Sequence, residues 1–182
     1  MLKIKHKFDI FIVFSPTLSN ALANDFYAEF IPGELMYTEY TPEKIDRLLE
    51  IQEAYINSGR DYKKAVIIFD DCIGSREKND ETLRKIMMMG RNKDITIIFI
   101  AQDITLTGTT WRNNSDYIFF SAEPSLKRKE IYVREFISKF KQQKNKSKEQ
   151  MMAEYDDLTE NHNFLVCNQY DGKIQVANAN TV

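Results

Sequence analysis

Only two of the 182 residues are cysteine (Cys72 and Cys167), which leaves no disulfide framework and no repeated metal-ligand spacing. Histidine is as scarce: His6 and His162 lie far apart, with no ligand partner at useful spacing. No run approaches the roughly 20 apolar residues that span a bilayer. Six glycines and four prolines are too few for a low-complexity or collagen-like chain, and no internal repeat is visible. Net charge is −2, from 25 basic and 27 acidic residues, so nothing global demands a nucleic-acid partner. What remains, 43% hydrophobic and 29% charged, is the balance of a globular domain with a real core.

The amino terminus, MLKIKHKFDIFIVFSPTLSNALA, has the outline of a secretory signal: basic residues, an apolar stretch and a small-residue ALA. Asp9 interrupts the apolar stretch, and a strand accounts for FDIFIVF just as well. Thr41 followed by Pro42 starts a helix, with Ile45, Leu48, Leu49, Tyr55 and Ile56 on one stripe and a stop near Gly59. The run KKAVIIFDD is a strand buried on both faces that ends in two adjacent acids, Asp70 and Asp71. A polar loop, CIGSREKND, leads to a second helix with Leu83, Ile86 and Met87 inward and Gly90 as its C-cap.

ITIIFIA (95–101) is a further buried strand, ending at Gln102. A polar, loop-like stretch (105–114) precedes a short strand at 117–120. Ser125 caps a basic helix carrying Val133, Phe136, Ile137 and Phe140; Ser147 with Gln150 makes a capping box. Phe164–Gln169 and Lys173–Ala177 flank Asp171-Gly172, a two-residue hairpin signal. Buried strands alternating with amphipathic helices imply an α/β fold, a mostly parallel sheet with helices on both faces and a hairpin at one edge. Chemistry in such sheets gathers beyond the carboxyl ends of the strands, where Asp70, Asp71, Gln102 and the Ser15-Pro16-Thr17 turn all fall.

Apolar residues followed by Asp-Asp match the Walker B element, in which a strand fixes one carboxylate near magnesium and a second orients or deprotonates the attacking water. GRNKDITIIFIAQ follows at the spacing of the next strand, and WRNNSDYIFF supplies another preceded by Arg112. Together these pieces, with FIVFSPT before them, resemble the FtsK/HerA division of P-loop ATPases over about residues 8–121. The similarity is greatest to the poxvirus-like DNA-packaging ATPases of large double-stranded DNA viruses. The resemblance implies a three-layer P-loop NTPase-like sheet over 1–122, with 123–182 forming C-terminal helices and a hairpin on the same domain. It implies Asp70 as the magnesium-associated acid, Asp71 as the catalytic carboxylate and Gln102 as a sensor of the γ-phosphate or water. Arg91 and Arg112 become candidate arginines for charge stabilisation, acting on a neighbouring subunit's nucleotide. Mg2+, ATP, double-stranded DNA, a homo-oligomeric ring and capsid or portal components are the implied partners. The implied location is a viral factory in the host cytoplasm, or the virion, rather than a secreted state.

The departure is the phosphate loop: G-x-x-x-x-G-K-[ST] occurs nowhere in the 182 residues, and Gly172-Lys173 continues with Ile. The expected consequences are a chain that starts after the P-loop helix, weak ATP binding alone, and a sheet with strand edges left unpaired. The competing expectation is a non-catalytic α/β assembly module built on the same fold. A receiver-like phosphate-handling domain fits the acids but not Gln102. For the residues individually, bland roles also stand. Asp70 and Asp71 suit a solvated strand end, Arg91 a helix-end cation and Arg112 a stacked partner of Trp111. The basic stretch Lys127–Lys148 suits either phosphate contacts or a solvated charged face.

Overall fold

The computed structural model describes residues 7–74, 80–103 and 109–178, and the chain divides into two compact units, 1–114 and 115–182. His6, the centre of the CIGSREKND loop and residues 104–108 lie outside the described residues.

Unit 1 is built on a four-stranded sheet in the order β2-β1-β3-β4, every pair parallel: β1 (Ile10–Phe14), β2 (Met36–Tyr37), β3 (Ala65–Asp70) and β4 (Ile95–Ile100). The register aligns Phe14 with Phe69 and Phe69 with Phe99, so one parity of residues stacks across three strands. That parity, with Ile12, Ile67 and Ile95, packs under α2 (Pro42–Asn57), α3 (Glu81–Met89) and Trp111 of α4 (Thr109–Asn114). The other parity, Phe11, Val13, Val66 and Ile68, is covered by Leu18, Ile31 and Tyr27 of α1 (Ala21–Ala28). Helices therefore lie on both faces, which is why β1 and β3 are continuous apolar runs rather than alternating ones.

Four local details differ from the sequence reading. Ile56 of α2 is exposed and Tyr55 only half-buried, while Gln52 is fully buried. Its amide donates to the carbonyls of Lys63 (2.5 Å) and Lys93 (3.1 Å) and accepts from the Lys63 N–H (2.9 Å), tying the helix to the amino ends of β3 and β4. Gly90 is the C-cap of α3 as expected, but in a right-handed conformation (φ −55°), and Asp94 (φ 52°) makes the left-handed turn into β4. The 105–114 stretch, read as loop-like, contains α4, from which Trp111 packs on Phe69 and Phe99.

The fourth concerns β4, which is not buried on both faces. Its burial alternates, with Thr96, Ile98 and Ile100 exposed, and it is the last strand of the sheet among the described residues.

Unit 2 is a three-stranded antiparallel sheet, β5 (Tyr117–Phe120), β6 (Asn163–Asn168) and β7 (Lys173–Asn178), with α5 (Leu126–Glu135) and α6 (Lys148–Thr159). Phe120 meets Tyr132, Phe136 and Tyr155 at its centre. Ser147 and Gln150 form the expected capping box of α6. The β6–β7 connection pairs Asn168 with Lys173, so its loop is Gln169–Gly172 rather than two residues. Asn168 makes the longer loop possible: its side chain accepts from the Tyr170 and Asp171 N–H groups, and Gly172 turns at φ 68°.

Candidate active site

The carboxyl ends of β1, β3 and β4 form one rim of the parallel sheet. Ser15 follows β1, Asp70 closes β3, and Gln102 follows β4 by two residues. Parallel register sets these three positions side by side, and the side chains connect them.

Asp70 is held through one oxygen. Its Oδ2 accepts from Ser15 Oγ (2.8 Å) and Tyr27 Oη (3.0 Å), with Thr17 Oγ1 at 3.5 Å. Ser15 is fully buried and Tyr27 nearly so, which makes these donors rigid. Burial, followed by the Asp70 charge and hydrogen bond, pushes the Tyr27 phenol above its usual range, so it stays a proton donor. Ser15 Oγ also contacts Thr17 Oγ1 at 2.7 Å, closing a hydroxyl cluster around the carboxylate.

Asp71 is placed differently. Its backbone is left-handed (φ 51°), a conformation that Asp tolerates better than most residues. Its N–H donates to the Ile100 carbonyl at 3.0 Å, which carries the β3–β4 pairing past the strand end. The turn swings the side chain out to solvent, where Gln102 Nε2 donates to Oδ2 at 2.6 Å. Asp70, Asp71 and Gln102 are thus brought together on one rim, with Ser15 and Thr17 beside them.

The two arginines are placed apart from each other. Arg91 sits in the turn Gly90–Lys93 that precedes β4, at the amino rim. The six residues of β4 separate that rim from Gln102 by ~20 Å. Arg112 follows Trp111 in α4, whose ring packs on Phe69 and Phe99, next to the acid-bearing ends. Cys72 is half-buried, and desolvation pushes its thiol up to about 12, which leaves no thiolate nucleophile beside the acids.

Tyr27 was not legible as a site residue in the sequence. It lies 43 positions from Asp70, in a segment to which the sequence reading assigns no element. The polar Ser15-Pro16-Thr17 turn at a strand end was the available signal.

The donor set is hard oxygen, suited to magnesium rather than to a soft metal. Among the described residues no group of three His, Cys, Asp or Glu converges, so an ion here would complete its shell with waters and phosphate oxygens, as Mg2+ commonly does. In the basic stretch of unit 2, several cations are paired with acids. Arg128 pairs with Glu123 (2.8 Å), Lys129 with Asp156 (2.5 Å), Lys146 with Glu154 (2.6 Å) and Lys148 with Glu130 (2.8 Å). No helix among the described residues is long and apolar enough to cross a membrane.

No protein-family profile matches the chain. A curated relative, the uncharacterized protein 015R of Frog virus 3 (isolate Goorha), is 25% identical over 103 residues, 56% of this chain. That match spans only 32% of the relative's length, about a third. Among solved structures, B204, the DNA-packaging ATPase from Sulfolobus Turreted Icosahedral Virus, is 17% identical with a TM-score of 0.61, over 96% of this chain and 85% of that one. The genome packaging NTPase B204 from Sulfolobus turreted icosahedral virus 2, in complex with ATP-gammaS, gives 12% identity and a TM-score of 0.58, over 96% of this chain and 84% of that one. The α/β fold of this chain, parallel sheet, flanking helices and C-terminal antiparallel hairpin, is the fold of these viral packaging ATPases.

Proposed function

We propose that the chain is the acid-and-sensor portion of a viral genome-packaging ATPase, in which ATP hydrolysis drives double-stranded DNA into a capsid. The single observation that carries this reading is the 2.6 Å hydrogen bond from Gln102 to Asp71 at adjacent strand ends, beside an Asp70 held by hydroxyls. The B204 fold and the nucleotide complexes named for it support the reading.

In this reading Asp70 is the Walker B carboxylate, and Mg2+, when bound with ATP, neutralises and polarises the terminal phosphate. The hydroxyls of Ser15 and Tyr27 fix one oxygen of Asp70, so the other is presented in a set direction. Asp71 orients the attacking water and takes its proton, with Gln102 steadying the carboxylate and sensing the phosphate. Arg112 stands near the same rim. Arg91, on the opposite rim, serves only a nucleotide bound by a neighbouring subunit, which is consistent with a ring. Capsid or portal components and a viral-factory or virion location follow from the same role.

The phosphate cradle is the part these residues do not supply, since no G-x-x-x-x-G-K-[ST] occurs in the sequence. The test joins the chain to a phosphate-loop segment and measures DNA-stimulated ATPase activity, where Asp71→Asn should lower turnover by ~100-fold or more. Unchanged turnover in that variant removes Asp71 from its role. The isolated chain should bind Mg-ATP weakly; micromolar affinity by calorimetry would overturn that part. A second reading, a non-catalytic assembly module, is favoured by one observation: the hydroxyl cluster already satisfies Asp70 Oδ2 without any ion. That reading predicts no thermal shift with Mg-ATP, even with the phosphate-loop segment attached.

A further inference from the structure

Acids and bases are nearly balanced over the whole chain, 27 against 25, yet no acid occurs between Glu135 and Glu149. Between α5 and α6 the backbone passes through two tight helical turns, Ile137–Lys139 and Lys141–Gln143. Ile137, Phe140 and Gln143 are buried and anchor these turns, which leaves Lys139, Lys141, Gln142 and Lys144 exposed. Gln142 ties the segment to the hairpin: its Oε1 accepts from the Ile174 N–H at 2.8 Å. Lys173, exposed at the start of β7, is thereby brought beside the turns. Lys146 and Lys148 are paired with Glu154 and Glu130. Lys139, Lys141, Lys144 and Lys173 have no acidic partner among the described residues. Four like charges gathered on one surface repel one another, and a bound polyanion relieves that repulsion.

We propose that this lysine surface of unit 2 holds the sugar–phosphate backbone of duplex DNA, through contacts that carry no sequence information. The choice of duplex DNA as the polyanion rests on the proposed function; the surface itself does not. Ammonium groups on flexible stems suit phosphates as point charges, without the planar fork that Arg brings to a carboxylate. The exposed amides of Gln142 and Asn145 add neutral donors of the kind that contact phosphate oxygens. An anionic lipid surface fits less well, because Ile137 and Phe140 are turned into the core and leave nothing apolar to insert. A single strand is held on a series of stacked rings, and the adjoining loop offers Tyr170 alone, 84% exposed. The acid of that loop, Asp171, directs its Oδ1 to the Lys173 N–H at 3.1 Å.

The test is fluorescence anisotropy, without nucleotide, of a labelled random-sequence duplex of about 30 base pairs over a range of salt. Four phosphate contacts give a slope of log affinity against log salt of about −3.6. Lys141→Gln combined with Lys144→Gln should bring the slope to about −1.8 and weaken binding at low salt by at least ~10-fold. Arg84→Gln combined with Lys85→Gln makes the same charge change on exposed side chains of α3 and should leave both quantities unchanged. Circular dichroism of both double variants should match the parent. Equal losses in the two pairs overturn the proposal, as does the absence of salt-dependent binding. Tighter binding to a single strand, lost in Tyr170→Ala, overturns it in favour of stacking. Tighter binding to phosphatidylserine vesicles than to duplex overturns it in favour of a lipid surface. A chain that holds duplex through these lysines, yet hydrolyses no ATP once joined to a phosphate-loop segment, refutes the proposed function and leaves this surface standing.

Discussion

The left-handed backbone at Asp71 makes a prediction that separates conformation from chemistry. At φ 51° an ordinary L-residue suffers a clash between Cβ and the following carbonyl, costing ~1–2 kcal/mol. Asn shares Asp's tolerance of this region, so Asp71→Asn should leave stability within ~0.5 kcal/mol, the usual range for an exposed site. Its Oδ1 still accepts from Gln102, and only the charge is lost. Asp71→Ala should cost ~1 kcal/mol, and Asp71→Val ~2 kcal/mol, because a β-branched side chain fits this region least. Urea unfolding followed by Trp111 fluorescence is the assay: it is the only tryptophan in the sequence, and it packs on Phe69, two residues before Asp71. In the chain joined to a phosphate loop, the Asn variant should lose activity while keeping stability. The reasoning is refuted if Asp71→Val is as stable as Asp71→Asn. The carboxylate would then not be aimed by the turn, and its meeting with Gln102 would be incidental.

Gln52→Leu should destabilise unit 1 by ~3–5 kcal/mol in the same assay, because it strands the Lys63 N–H and two carbonyls in a buried site. Tyr27→Phe should cost ~1–2 kcal/mol, measured as a lower melting temperature, by removing a hydroxyl that donates to Asp70. Glu123 supplies the pH dependence of unit 2. Burial pulls its carboxyl up, but Arg128, the Ser125 N–H and Tyr132 outweigh burial and hold it below its usual 4.5. Stability from this group is therefore complete above pH 4.5 and lost as pH falls through the lowered value, and Glu123→Gln should flatten that loss in acid unfolding monitored by circular dichroism.

Periodicity and capping chemistry are local, and they carried the reading as far as local signals reach. β1, β3, α2, α3 and the α6 capping box all stand near where the pattern sets them. Strand order is not local. Nothing in ITIIFI distinguishes a central strand from an edge strand, since both are apolar runs, and only the sheet shows that Ile98 and Ile100 face outward. The same limit applies to β5, which pairs antiparallel with β6 instead of extending the parallel sheet. Gln52 illustrates the opposite error. A glutamine on a helical stripe reads as the solvent side, yet its three hydrogen bonds to Lys63 and Lys93 require a partner 41 positions away that no window of sequence contains.

The adjacent acids show how much one backbone turn can decide. In the sequence Asp70 and Asp71 are equivalent, two like charges at the end of an apolar strand. In the fold their surroundings diverge completely. Asp70 keeps the extended strand geometry, faces the α1 side and is met by hydroxyls from buried or nearly buried residues. Its position is fixed and one of its oxygens is engaged, which suits a group that must hold a cation at a constant place and need not move a proton. Asp71 turns left-handed, stands in solvent and, among the described residues, takes a side-chain hydrogen bond from the Gln102 amide. It can accept a proton and release it again without stranding a buried charge. In the proposed function that contrast divides the labour, the restrained carboxylate holding the cation and the free one activating water beside the phosphate. Strand, hydroxyl cluster and turn produce that division from two identical side chains.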